Sequence, residues 1–442
     1  MTDATFTDAP AAGTSAGAKP KRRDIGLKGR YAAERRFRAY GLIAIALGLL
    51  FLVLLLWSVI SKGYTAFQQT TVSIPVMYNA EQINLEDVRQ DNRVALIGQV
   101  RAVLSDSVVA ATGADPEVRD EVRAAQSLLS QGAPIQIIER LKTDPGLIGQ
   151  TETVRFLGHG IVDSTVKGQI NLELDESRRP VSDLQLQMIN KLTEDGALTK
   201  SFNTGLFTFG ASSRPETAGM GVAIVGSLYM MLIVLVLALP IGVAASIYLE
   251  EFAPKNRFTD LIEVNINNLA AVPSIVYGLL GLAVFINFAG LPRSASLVGG
   301  LVLTLMTLPT IIIATRAALK AVPPSIRSAA LGVGASKMQT VFHHVLPLAA
   351  PGILTGTILG LAQALGETAP LLLIGMVAFV VEYPTTPLDP ATALPVQIFM
   401  WANEAERAFV ERTSGAIIVL LLFLAVMNIT AIILRRRFER RW

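Results

Sequence analysis

An uncharged, strongly apolar run from residue 39 to residue 61 constrains what this chain can fold into more than any other feature. At about 1.5 Å rise per helical residue it reaches roughly 35 Å, enough to cross the ~30 Å hydrocarbon core of a bilayer. Five further candidate spans, predominantly apolar, follow at 219–248, 261–288, 294–315, 351–380 and 415–434. The six runs predict six membrane helices. Composition agrees, because hydrophobic residues make up 51% of the chain and charged residues only 17%, too little charge for an ordinary soluble domain. The first run is also longer than a signal-peptide core of about 7 to 15 residues. It continues into Ser61-Lys62-Gly63-Tyr64 rather than a small-residue cleavage site, which predicts an uncleaved anchor.

The charges that remain set the topology. Residues 1–20 carry almost no large apolar side chain and are expected to be disordered, since they bury too little to offset the entropy of ordering. A basic stretch over 19–38 precedes the first span, and Arg435, Arg436, Arg437, Arg440 and Arg441 follow the last. The positive-inside rule then places both termini in the cytoplasm, in agreement with an even number of spans. The five-way division expected is a basic N-terminus (1–38), the first helix (39–61), an extracytoplasmic insertion (62–216), a five-helix core (217–437) and a short tail (438–442). The insertion reads as α/β. Strands are predicted over 71–77 and 165–172, where β-branched residues are frequent, and helices over 115–129, 135–141 and 183–192, from apolar residues at three- and four-residue spacing. Its carboxylates read as a solvated surface.

Several chemistries are excluded at this level. A net charge of +3 with Lys and Arg beside apolar runs does not describe a nucleic-acid surface. The absence of cysteine removes disulfides, thiolate metal sites and cysteine nucleophiles. His159, His343 and His344 are too scattered for a metal cluster, and no catalytic residue set or cofactor site is visible. No Gly-x-x-x-x-Gly-Lys-Ser/Thr loop is present either, so any nucleotide is bound by another subunit.

The loop between the fourth and fifth spans carries the most specific pattern. It reads Ser328-Ala329-Ala330-Leu331-Gly332-Val333-Gly334 and, after nine intervening residues, His344-Val345-Leu346-Pro347. Two short helices joined at Gly334 are expected, with small side chains that let a partner approach closely. Two further motifs lie in the apolar runs. Ala271-Val272-Pro273-Ser274-Ile275-Val276-Tyr277-Gly278 places a proline and small polar residues within the third span, and Leu365-Gly366-Glu367-Thr368-Ala369-Pro370-Leu371 places a carboxylate and a second proline within the fifth. Kinks are expected at Pro273 and Pro370. Glu367 should face a pathway or a cation, because a carboxylate at bilayer depth is costly.

The 328–347 loop resembles the EAA loop of ABC importer permeases, with Ser328 where Glu is usual and His344 where Ile is usual. With the Pro273 and Glu367 motifs, Leu394-Pro395-Val396-Gln397-Ile398-Phe399, Pro215-Glu216-Thr217-Ala218-Gly219 and Tyr248-Leu249-Glu250-Glu251, residues from about 207 to 437 resemble phosphate permeases, A-type subunit of the Pst system. The resemblance implies a membrane all-α fold, six transmembrane helices of the type I ABC importer permease fold with the α/β insertion between helices 1 and 2. It further implies import of phosphate in a bacterial inner membrane. The partners it implies are a C-type permease, an ATPase dimer and a periplasmic phosphate-binding protein.

Under this resemblance Ser328, Ala329, Ala330, Gly334, Leu346 and Pro347 would couple to the ATPase, and Glu367, Thr368, Ser274 and Tyr277 would line the substrate pathway. Phosphate permeases usually carry Arg one helical turn before the Glu, where this chain has Gln363. The counter-charge for Glu367 is then expected from Arg316 or from the partner permease. A permease for another oxyanion, molybdate or sulfate, is the alternative. A ligand-sensing membrane receptor is the more distant one, and no signalling segment follows residue 434 to support it.

Overall fold

The computed structural model describes residues 27–438. The disorder expected over 1–20 and the arginines at 440 and 441 lie outside the described residues. The chain divides into two units, residues 1–57 and 58–442. In the first, the expected anchor is a continuous helix that begins at Leu27 and runs on to Gly63 at the start of the second.

The insertion domain is built on a three-stranded antiparallel sheet in the order β2-β1-β3, with β1 at Gln68–Met77, β2 at Thr151–Leu157 and β3 at Leu198–Phe202. β1 lies in the middle, yet it contains Pro75. That is tolerated because the β1–β3 ladder covers only Gln68 to Val72, so the strand is already a sheet edge where the missing N–H falls. Helices Ala133–Thr143 and Asp183–Glu194 form where the apolar spacing predicts them, the latter opened by a Ser182–Gln185 capping box.

Two expectations for this domain fail. Residues 165–172 do not form a strand: helix Gly160–Val166 ends there and a turn follows. Thr165 donates its hydroxyl to the Ile161 carbonyl at 2.7 Å, which shows its β-branched side chain serving the helix it was expected to exclude. The helix expected over 115–129 is only Arg119–Gln126. The longest helix of the domain, Arg93–Thr112, was not expected. It is apolar enough to pass for a membrane span, but Leu96, Val100, Val103, Leu104 and Val108 bury one face in the same core as Val72, Ile74 and Phe156 of the sheet.

In the membrane core, helices Gly221–Ile247, Ser296–Lys320, Leu346–Gly366 and Ala408–Phe438 fall where spans were expected. The third and fifth spans differ from expectation. Instead of one kinked helix over 261–288, Arg257–Ala270 and the helix beginning at Ser274 are bent from one another by 100°. The fifth span starts earlier than residue 351, at Lys337, and stops at Gly366 rather than at 380. Residues 374–393 are irregular and are held by side chains and backbone: Ser294 Oγ donates to the Gly375 carbonyl at 2.5 Å, the Leu297 N–H to Pro387 at 2.8 Å and Thr392 Oγ1 to Met376 at 3.0 Å. An apolar run cannot distinguish a span from a buried irregular segment, because both exclude water and only the backbone hydrogen bonds differ.

Candidate substrate pathway and coupling site

Both prolines break their helices outright instead of kinking them. Pro370 has no N–H to offer the Gly366 carbonyl, so the fifth helix ends at Gly366, Glu367 takes an extended conformation (φ −78°, ψ 131°) and a five-residue helix restarts at Ala369. Pro273 is likewise extended (ψ 138°) and begins a new helix at Ser274. At the Pro273 break the Leu269 carbonyl, which Pro273 cannot serve, accepts from the Val272 N–H at 3.1 Å and, across the bend, from Tyr277 Oη at 2.8 Å. Tyr277, expected on the pathway, is buried and spends its hydroxyl on holding the bend.

The two broken segments pack against each other. A Cβ built on Gly278 would lie 2.7 Å from Pro370 Cα and 3.0 Å from its carbonyl oxygen, so only glycine admits this approach. The contact joins half-buried Ser274, at the uncapped start of one short helix, to the element that carries half-buried Glu367 and Thr368. Such interrupted helices expose backbone N–H and C=O groups at membrane depth, a construction suited to holding a small charged solute.

Two expected relationships are not found. Gln363 and Glu367 do not share one helical face, because the helix ends between them; Gln363 is exposed and makes no hydrogen bond to Glu367 among the described residues. Arg316 is not the counter-charge of Glu367. Its guanidinium meets Glu263 Oε1 at 2.6 Å and Glu250 Oε2 at 3.5 Å, and Lys320 approaches the same Glu250 oxygen at 3.5 Å. Glu250 lies in the last turns of the preceding membrane helix and Glu263 midway along helix Arg257–Ala270, so Arg316 ties three helices together. No ion pair to Glu367 exists among the described residues.

The coupling loop has the two-helix form expected of it. Helix Pro324–Gly332 is followed by Gly334 at φ +90° and by a second helix from Lys337. That φ is open to glycine and strained for most residues. Ser328, Ala329, Leu331, Gly332 and Val333 are exposed, whereas Ala330 is buried. Leu346 and Pro347 lie where the helix from Lys337 runs on into the fifth span and are half-buried.

The residue that anchors this loop was not singled out in the sequence. Arg327 forms a fork to Glu251, with Nη2 to Oε1 at 2.6 Å and Nε to Oε1 at 3.1 Å, and also donates to the Val322 and Leu319 carbonyls at 2.7 and 2.9 Å. One guanidinium therefore joins the end of the second membrane helix, the end of the fourth and the coupling helix. The signal available was charge pairing: Glu250 and Glu251 end one apolar run, and Arg316 and Arg327 follow another.

A second ionic cluster joins the insertion domain to the last membrane helix. Lys167 Nζ lies 2.7 Å from Asp163 and 2.9 Å from Glu411, with the three side chains 1%, 7% and 6% exposed. Buried Glu216 accepts from Ser130 Oγ at 3.0 Å, and its backbone carbonyl accepts from Gln69 Nε2 at 2.6 Å. Gly160 leaves room for two carboxylates here, since a Cβ would stand 3.2 Å from Glu406 Oε1 and 3.5 Å from Glu216 Oε2. Desolvation and the neighbouring Glu216 charge raise the Glu406 carboxyl above the usual range. The expectation that the insertion's carboxylates are all solvated is thus wrong for Asp163 and Glu216, which are 5% and 2% exposed.

A bundle of broken and continuous membrane helices with a small-residue hairpin at one end defines a transport permease subunit. A family model for the binding-protein-dependent transport system inner membrane component matches residues 223–442, and one described as a domain of unknown function (DUF3333) matches 24–176. The probable ABC transporter permease protein YqgI of Bacillus subtilis is 36% identical over 36% of this chain and 55% of its own length. Phosphate transport system permease protein PstA 1 of Mycobacterium tuberculosis is 32% identical over 51% of this chain and 74% of its own. A solved MetNI methionine ABC transporter chain aligns at 18% identity and a TM-score of 0.40, over 50% of this chain and 98% of that one. The chain belongs to the family of binding-protein-dependent ABC importer permeases. It is a transport subunit, and ATP hydrolysis belongs to a separate ATPase subunit.

Proposed function

We infer that the chain is the A-type permease of an ATP-driven phosphate importer. It works beside a second permease, with an ATPase dimer on the cytoplasmic side and a periplasmic phosphate-binding protein on the other. The substrate reading rests on the identity to A-type phosphate permeases over three quarters of their length. The positive residues before the first span and after the last support cytoplasmic termini, an insertion domain outside the cytoplasm and a place in the bacterial inner membrane.

The observation that carries the pathway is the packing of Gly278 on Pro370, which brings together two membrane segments that are both broken. The uncapped start of the helix at Ser274 favours an anion through its free N–H groups. Glu367 opposes one, so a cation from the partner permease is required beside it. Glu367→Gln is expected to lower phosphate uptake by about tenfold, the effect of about 1.4 kcal/mol on a transport barrier, without preventing assembly, and Gln363→Arg is expected to be tolerated. Uptake of radiolabelled phosphate in cells carrying each variant measures both, and wild-type uptake in Glu367→Gln would remove this residue from the pathway. Competition by molybdate or sulfate in the same assay tests the substrate.

The coupling loop is read as the ATPase docking element. A Cβ at Gly332 meets nothing within 4 Å in this chain, and Gly332 has no positive φ. The Cβ of Gly332→Trp is therefore unobstructed on an exposed surface, where its bulk stands in the way of a docking partner. The expected result is a fully inserted protein whose ATP-coupled uptake falls to background; normal uptake would rule out docking at this surface.

A further inference from the structure

Beside the start of the last membrane helix the insertion domain closes over a cleft of about 1120 Å³. Ser61 and Lys62, where the first apolar run ends, and Ala408, where the last membrane helix begins two turns before its apolar run, line it, which sets the cleft on the water side of the membrane boundary. Its charged lining is predominantly basic. Lys62, Lys167, Arg178, Arg179 and Arg407 stand against only Glu406 and Glu411.

These cations are not equivalent. Lys167 is already neutralised by Asp163 and Glu411. Arg179 pairs with Asp183 and donates Nη1 to the Leu172 carbonyl at 3.3 Å, but its side chain is only 7% exposed and its Nε has no hydrogen-bond partner. That Nε is enclosed by the protein and out of reach of a ligand in the cleft, so Arg179, like Lys167, is occupied by partners within the chain. Lys62, Arg178 and Arg407 form no ion pair among the described residues. Ile161, Ile170, Leu174 and Val410 give the same cleft an apolar wall.

We propose that this cleft binds a phosphate oxyanion, held by Arg178, Arg407 and Lys62, as the headgroup of an anionic phospholipid or as free phosphate. Guanidinium forks match phosphate oxygens in geometry and charge, and the apolar wall beside them accommodates the first part of an acyl chain. This site is separate from the proposed pathway at Glu367.

The test uses the full-length protein purified with the subunits that accompany it, delipidated in detergent. Native mass spectrometry follows titration with dioleoyl phosphatidylglycerol or dioleoyl phosphatidylcholine, and thermal unfolding follows titration with inorganic phosphate. The variant is Lys62→Gln/Arg178→Gln/Arg407→Gln. Three cations near a membrane surface contribute on the order of a hundredfold in affinity. A loss of that order for phosphatidylglycerol alone identifies the lipid; loss of phosphate-dependent stabilisation alone identifies the free anion. If the triple variant does not fold, Arg407→Gln is read in the same way, with a loss on the order of fivefold. Phosphatidylglycerol and phosphate responses both equal to those of the wild type would overturn the proposal.

Discussion

Lys167→Met is expected to destabilise the attachment of the insertion domain by about 3–5 kcal/mol, the usual cost of removing one partner from a buried ion cluster. The lysine lies between Asp163 and Glu411 at 2.7 and 2.9 Å, and methionine fills a similar volume while removing the one cation ion-paired with both among the described residues, leaving only the buried Arg412 guanidinium nearby to offset the two carboxylates. Asp163 has one further partner, the Thr70 N–H at 2.8 Å, which cannot replace the lost charge. Adding Glu411→Gln to Lys167→Met should recover part of the stability by removing one of the two charges. Thermal unfolding of the purified protein, with limited proteolysis of the insertion domain, measures both variants. A Lys167→Met protein as stable as the wild type, or a double variant less stable than the single, would contradict the assignment of this cluster as the tie between the domains.

Arg327→Gln is the variant expected to do most damage to transport. The Arg327 fork to Glu251 and its bonds to the Leu319 and Val322 carbonyls hold the coupling helix to two membrane helices at once. If the loop docks the ATPase as proposed, a motion delivered to Pro324–Gly332 would reach the second membrane helix through this guanidinium. Without it the loop can move while the membrane helices do not. Phosphate uptake is expected to fall at least tenfold while ATP hydrolysis by the assembled complex continues, and Arg327→Lys should restore only part of the uptake, because an ammonium keeps the charge and loses the planar fork. Uptake and ATPase activity measured on the same preparation decide the matter. Proportional loss of both activities would show a general folding defect instead, and unchanged uptake would show that coupling takes another route.

The class of the protein was legible in its sequence because a bilayer leaves so few solutions. An uncharged run such as 39–61 has to be a helix, since water is absent and every backbone group must be satisfied within the segment. The coupling loop was legible for a comparable reason: Gly334 was assigned a special backbone geometry and adopts φ +90°. Expected helices 135–141 and 183–192 also formed, as their amphipathic spacing bears only on local burial.

Tertiary structure alone decided the site. Whether Pro273 and Pro370 kink or break their helices depends on what takes up the freed backbone groups, and the Tyr277–Leu269 hydrogen bond that does so at the first break joins residues eight apart across a bend that no periodicity encodes. Gly278 meets Pro370 across ninety-two positions of sequence. Charges were the least legible of all. Arg316 carried the right charge for Glu367 but meets Glu250 and Glu263, and Asp163 and Glu216 read as surface acids but are buried. Hydrophobic patterning reports whether a residue leaves water, which is a property of one side chain in its local element. Ion pairing reports which other residue it meets, and that is a property of two distant segments that only the folded chain brings together.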